Sequence, residues 1–390
     1  CQARNATPEL LQELTSHNLA VLARLLAYNA RNGIRMFRIT SDLIPFGSSP
    51  VNPLPWWDMH REAFDSIGTF IRENDIRVSM HPGQYTVLNA KESDVVRRAV
   101  LDLAYHARVL DLLGTGSDSK IILHVGGVYG NRVEAMDRFA DNWRALDEAI
   151  TRRLIIENDE RSYPVSDVLT LGHRLGIPVV FDNLHHRLNP GPESRSDADW
   201  VAACRDTWKE RDGKQKIHYS QQAQGRQAGS HSDTISVGPF LQFVASLQEP
   251  KPDIMLEVKD KNLSARKCVA CTENNGQMRL LESEWARYKY KVLEHDPTAY
   301  LAIRGLFRDN GPGPAKKEAG DVFPDALSQE SLPRQFYDLL DAALASEIKP
   351  GNAENAAQHV WGYFKGKATD KERLAFFRQL ERYRSGTASL

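Results

Sequence analysis

The chain has 390 residues, 41 % of them hydrophobic and 26 % charged, enough for one large domain plus a smaller one, which excludes a disordered chain and a small disulfide scaffold. Its 50 Lys and Arg nearly cancel 51 Asp and Glu, so a net charge of −1 leaves any grip on a polyanion to local patches. Only four Cys occur (Cys1, Cys204, Cys268, Cys271) and no apolar run reaches about 18 residues, which points to a reducing cytoplasm and no membrane span.

Asn5 to Tyr28 reads as a helix capped by Thr7, with Pro8 at its first position. Seven short runs rich in Ile and Val follow, too short for helices and suited to buried parallel strands. They are Ile34 to Ile39, Ile76 to Met80, Lys120 to His124, Leu154 to Ile156, Ile177 to Phe181, Lys216 to Tyr219 and Asp253 to Val258. Between them, Pro53 to Glu73, Ser93 to Leu113 and Glu134 to Ile150 carry apolar residues at helical spacing. This alternation predicts an α/β chain, either a TIM (β/α)8 barrel or a doubly wound sheet. Seven strands opening on a helix, without an initiator Met, predict a barrel whose first strand lies upstream of a truncated chain. After Val258 the pattern turns helical, from about Glu282, at Phe336 to Ala345, Ala353 to Phe364 and Asp370 to Arg384, with an exposed loop expected over Asp309 to Pro333. The predicted organisation is a barrel domain over 1–270, a linker over 271–281 and a small all-helical domain over 282–390.

In such a barrel, reactive groups project from the C-terminal ends of strands. Here the ends read Met80-His81, Leu123-His124, Ile156-Glu157, Phe181-Asp182-Asn183-Leu184-His185, Ile217-His218 and Leu256-Glu257, with His231 in a nearby loop. A lone strand-end histidine is ordinarily bonded to a neighbouring backbone, but six successive strands deliver His, Asp or Glu. Gathering them at one mouth is unfavourable unless cations neutralise them. Imidazole and carboxylate without thiolate suit Zn²⁺, Mn²⁺ or Fe²⁺, and so many ligands imply more than one ion, bridged by Glu157 and Glu257. Paired ions fit hydrolysis of a phosphodiester; a sugar isomerase or epimerase on the same barrel is the alternative. Gln84 and Tyr85 follow His81 in a tight turn, where an amide and an aromatic can wedge into a base stack, and Arg226, Lys259, Lys261, Arg266 and Lys267 offer backbone-phosphate contacts on the same face.

Six motifs, His81-Pro-Gly-Gln-Tyr, His124-Val-Gly-Gly, Leu154-Ile-Ile-Glu-Asn-Asp, Phe181-Asp-Asn-Leu-His-His, Lys216-Ile-His-Tyr-Ser and Met255-Leu-Glu-Val-Lys-Asp-Lys, resemble the UV damage endonucleases in order and spacing, from Cys1 to about Lys267. The resemblance implies a barrel similar to that of endonuclease IV and a centre of three divalent ions, assigned to Mn²⁺. The implied ligands are His81, His124, Glu157, Asp182, His185, His218, His231 and Glu257. It further implies a carboxylated Lys216 beside the metals, Gln84 and Tyr85 as lesion probes, and cutting immediately 5′ to cyclobutane dimers, 6-4 photoproducts and some abasic sites. The implied partner is damaged double-stranded DNA in the bacterial cytoplasm, at the nucleoid, with no obligate protein partner. Two departures stand out: the family's first strand, with a Tyr and an Asn near the lesion, is missing, and a C-terminal extension is present. A non-catalytic lesion sensor is therefore a further alternative. In that extension, Trp285-Ala-Arg-Tyr-Lys-Tyr-Lys and Gln358-His-Val-Trp-Gly-Tyr-Phe-Lys resemble an uncharacterised helical domain found in other bacterial proteins.

Among weaker signals, Cys268 and Cys271 have CxxC spacing but no second pair, and read as two linker thiols. His295, His359, Trp361, Tyr363 and Phe364 could form a nucleic-acid surface, although their helical spacing favours an ordinary core. Asn183 and His186 are candidates for orienting ligands.

Overall fold

The computed structural model describes residues 2–273, 277–310 and 331–389. In chain order, α1 (Pro8–Arg31) leads to β1 (Met36–Ile39), α2 (Trp56–Met59), α3 (Arg61–Glu73), β2 (Arg77–Met80), α4 (Ser93–Leu112) and β3 (Ile121–His124). There follow α5 (Arg132–Arg144), α6 (Glu148–Thr151), β4 (Leu154–Glu157), α7 (Val165–Leu175), β5 (Val179–Val180), α8 (Asn183–Leu188) and α9 (Asp197–Arg205). Then come β6 (Lys216–Tyr219), α10 (Val237–Ser246), β7 (Asp253–Leu256) and α11 (Asn262–Thr272). Five helices close the chain: α12 (Gln277–His295), α13 (Pro297–Asn310), α14 (Leu332–Ala345), α15 (Pro350–Trp361) and α16 (Asp370–Arg384).

The chain divides into two compact units, Cys1–Ile235 with Ser246–Arg266 and Ser236–Ala245 with Lys267–Leu390. In the first, the Thr7 hydroxyl accepts from the Leu10 N–H at 3.3 Å and starts α1, which buries Leu11, Leu19, Leu22 and Leu26. All strand pairings are parallel: β1 to β5 form one sheet in sequential order, β6 and β7 another, and a bridge from Asp182 to His218 joins them. Ile122 of β3, Ile155 of β4 and Val180 of β5 form one buried cluster with Trp208 packed against it, as the Ile- and Val-rich runs of parallel strands require. Lys216 on β6 donates to Ser79 Oγ on β2 at 2.7 Å, so these two strands face one another across the barrel interior.

Several expected elements are shortened or split, three of them for a visible local reason. The fifth strand contracts to two residues because Pro178 brings no N–H to the ladder. The expected Pro53 to Glu73 helix begins only at Trp56, after Pro53 and Pro55, and breaks at His60. Glu134 to Ile150 divides into α5 and α6 around Asp147, which takes an extended conformation.

At the N-terminal ends of the strands, buried cations are matched internally. Lys120 pairs with Asp212 and also donates to Arg152 O, while Arg153 Nη2 meets Asp111 at 2.6 Å and Arg77 meets Asp253 at 3.1 Å.

The second unit is helical, with α12 packed against α13, α14 and α15, and α16 against α15. Its core holds Leu281, Val292, Ile303, Phe336 and Leu340. The stretch expected as a loop is helical at both margins, through Asn310 and from Leu332, and its interior, 311–330, lies outside the described residues. No described helix is long and apolar enough to cross a membrane.

Candidate metal centre

Strand register assembles the site. His124 pairs with Glu157 across β3 and β4, and Asp182 with His218 across the bridge to β6, so chemically active residues finish their strands at one level. Glu157 is buried at the middle of four imidazoles. His218 Nδ1 lies 2.8 Å from its Oε1 and His81 Nε2 3.2 Å from its Oε2, with His185 Nδ1 at 3.5 Å and His124 Nε2 at 3.9 Å.

Glu257, just past β7, forms a second focus. His218 Nδ1 stands 3.3 Å from its Oε1 and His231 Nε2 3.7 Å from its Oε2, while Arg38 of β1 pairs with it and reaches His218 Nε2 at 3.1 Å. Asp182 caps α8, its Oδ1 accepting the His185 N–H at 2.8 Å. The Asn158 side chain clamps the Asp182 backbone, accepting its N–H at 2.9 Å and donating to its carbonyl at 3.1 Å.

Two groups of donor atoms result, each within 4.8 Å of one another: His81, His124 and Glu157, and Glu157, Asp182, His218 and Glu257. Glu157 belongs to both. His185 and His231 flank these groups. Asp182 Oδ2 and His124 Nδ1 are buried without a hydrogen-bond partner among the described residues. A buried, unpartnered carboxylate oxygen is costly, and it is the feature a cation relieves. The paired charges at the opposite strand ends carry no such deficit. The oxygen and nitrogen donors fit hard or borderline divalent ions.

The protonation states follow from burial and charge. Burial opposes ionisation of Glu157, but His218 and His124 and the hydrogen bonds from His185 and His218 hold its carboxyl well below the usual range. Glu257, likewise desolvated, is drawn down to about 2 by Arg38 and His218. Burial pushes Asp182 up to about 7 and His218 down to about 4. His185 resists its own burial through Glu157 and Asp182 and is raised to about 10. The Lys216 amine is fully buried, and desolvation, with Arg38 and Arg77 adding to it, drops its pKa well below the ordinary lysine value.

Gln84 and Tyr85 stand on the exposed turn after His81, with Tyr85 84 % accessible. The turn is pinned from below: Thr86 Oγ1 donates to Asp102 Oδ2 at 2.7 Å, and Ser41 Oγ donates to His81 O at 2.7 Å while meeting His106 Nε2 at 3.0 Å.

Not every expected residue joins the site. Arg226, Lys259 and Lys261 are exposed, Lys259 beside Asp233 at 3.0 Å. Arg266 and Lys267 are buried, and Lys267 Nζ donates to both Asp341 oxygens at 2.8 and 3.0 Å, so the helix that carries them turns them away from solvent and from a phosphate backbone. His186 packs its ring 5.5 Å from Phe181 and 5.8 Å from Trp200 instead of orienting a ligand. Asn183 exchanges two hydrogen bonds with the Ser220 backbone. Cys268 and Cys271 are buried on α11, not linker thiols, and burial pushes Cys271 up to about 12, away from reactivity. Sequence reasoning missed Arg38, Asn158 and Ser79. The signal for Arg38 is its place one residue before the end of β1, where a cation among strand-end carboxylates finds a partner.

The family model described as UV-endonuclease UvdE matches residues 2–275. The chain belongs to this UV-endonuclease family. Residues 289–390 match a second family, a protein of unknown function, DUF1722. A UV DNA damage endonuclease of Clostridium perfringens (strain 13 / Type A) is 43 % identical over 300 residues, 76 % of this chain and 73 % of the relative. One from Bacillus cereus (strain Q1) is 33 % identical over 257 residues, 65 % and 80 % of the two chains. The solved structure of SacUVDE aligns with a TM-score of 0.64 at 42 % identity, over 67 % of this chain and 88 % of that one. The resemblance read from six motifs is thereby borne out, as is the barrel fold with a helical C-terminal region.

Proposed function

We propose that this family member is a metal-dependent DNA repair endonuclease that nicks the backbone immediately 5′ to cyclobutane dimers and 6-4 photoproducts, and at some abasic sites. The observation that carries the reading is the convergence of two donor groups on one buried carboxylate, Glu157, within a chain of this family. His81, His124, Glu157, Asp182, His185, His218, His231 and Glu257 would hold three ions, Mn²⁺ by the family resemblance. Ions held there would polarise water and offset charge on the leaving 3′ oxygen.

The protein's own part is preparation. Glu157 and Glu257 stay ionised despite burial, and His124 and His218, disfavoured as cations, offer neutral nitrogens. Lys216 is a buried amine kept from protonation, the state in which it can take up carbon dioxide as a carbamate, releasing a proton. Gln84 and Tyr85 fill the stack as the lesion turns toward the barrel mouth, leaving 3′-hydroxyl and 5′-phosphate ends. The substrate is damaged duplex DNA at the bacterial nucleoid, with no obligate protein partner, and the barrel domain over 1–270 carries the chemistry.

The test is incision of an end-labelled duplex bearing one cyclobutane dimer, with Mn²⁺ or with chelator, beside an undamaged control. A single Mn²⁺-dependent nick immediately 5′ to the dimer is expected. Lesion-selective binding without incision at any metal supplement would overturn the reading in favour of a sensor.

A further inference from the structure

We infer that the turn between α15 and α16, together with the exposed side of α16, is a binding surface for single-stranded DNA. Helical spacing had favoured a core role for its aromatics, but the turn carries them outward: Tyr363 is 62 % and Phe364 55 % accessible, with Leu374 and Phe377, at 48 %, exposed on α16. The platform is braced from behind. Trp361 stacks on Phe376 at 4.5 Å with planes 9° apart and meets Phe377 edge-on at 6.3 Å, tying the turn to α16. Tyr363 Oη accepts from Tyr290 Oη at 2.6 Å and from Lys289 Nζ at 3.3 Å, which fixes its ring. By contrast, His295 is absorbed in the fold, bonded through Nδ1 to Ser346 O at 2.7 Å.

Charge selects the occupant. Residues 361–384 hold seven Lys or Arg against three Asp or Glu, in a chain whose 50 Lys and Arg and 51 Asp and Glu nearly cancel overall. Lys365, Lys367, Lys371, Arg373 and Arg378 are all exposed and pair with no carboxylate among the described residues. Exposed rings beside unpaired cations match the faces and phosphates of unstacked bases, where each stacked base contributes to affinity whatever its identity. A protein groove would leave those cations unanswered, and a duplex hides the faces the rings need. The choice of DNA over RNA rests on the endonuclease reading above.

The experiment uses the full chain and a fluorescent oligo(dT) of about 20 nucleotides, read by anisotropy. Phe364→Ala with Phe377→Ala should weaken binding about tenfold to a hundredfold, and the matching Tyr variants should keep it. Lys365→Gln with Lys367→Gln should flatten the salt dependence by about one to two units of slope. Incision of a dimer-bearing duplex should be unchanged in all of them, so loss of incision bears on the nuclease reading and loss of oligo(dT) binding on this one. The inference is overturned if the parent chain does not bind oligo(dT), or if the alanine variant binds it equally well. Binding of oligo(rU) alone, or a change confined to self-association in sedimentation, would also overturn it.

Discussion

At the scale of single residues, Glu157 concentrates the chemistry. It is buried, ionised and shared by both donor groups, so replacing its charge removes the centre that the imidazoles surround. Glu157→Gln and Glu257→Gln should each lower incision more than about a hundredfold while leaving damaged-duplex binding intact, because neither side chain lies on the exposed turn. Retained cutting in a single-turnover assay would refute this. The shifted groups also predict proton traffic. Without metal, burial raises Asp182, and Glu157 and Asp182 raise His185 against its own burial, so both hold a proton more tightly than the free groups do, while Glu157 and Glu257 favour their charged forms. Cation binding should therefore release protons from Asp182 and His185. Since each leaves more readily as pH rises, metal affinity should strengthen from pH 6 through 8. Titration calorimetry in two buffers of different ionisation enthalpy measures the release; identical heats in both would exclude it.

At the scale of elements, the two ends of the same strands do different work. The N-terminal ends bury matched charges, and Lys120 with Asp212 is the deepest of these pairs. Lys120→Met leaves Asp212 buried without its counter-charge and should cost about 3 to 5 kcal/mol in urea unfolding, with incision per folded molecule unchanged. Adding Asp212→Asn should recover part of the loss. At the C-terminal ends, the turn carrying Gln84 and Tyr85 depends on α4, through Thr86 and Asp102. Thr86→Val deletes that hydrogen bond while keeping shape. It should weaken damaged-duplex binding about threefold to tenfold with saturated incision rates preserved, which a binding curve beside a single-turnover rate distinguishes.

At the scale of the whole molecule, much of the fold could be read without coordinates. Seven β-branched runs marked seven parallel strands, and Asp370 to Arg384 matched α16 residue for residue. The strand-end pattern His81, His124, Glu157, Asp182, His218 and Glu257 was legible because chain direction fixes which end of a parallel strand faces the loops. Periodicity could not report what breaks at a particular residue, such as the stop at Pro178 or the division around Asp147. It also does not report the residue at which a helix stops, or the carboxylate that a given cation will meet. Lys267, expected at a phosphate, lies against Asp341, and Tyr363, for which helical spacing favours a core, lies in solvent because α15 ends at Trp361. By itself, the sequence determined where the strands fall along the chain, which kinds of side chain end them and family membership, all of which depend on local pattern and residue identity. Only the tertiary structure decided that Glu157 is the shared centre, that Arg38 neutralises Glu257, and which cations face solvent. Those are distances between residues as far apart as Arg38 and Glu257, and such distances are set by packing, which no window of sequence contains.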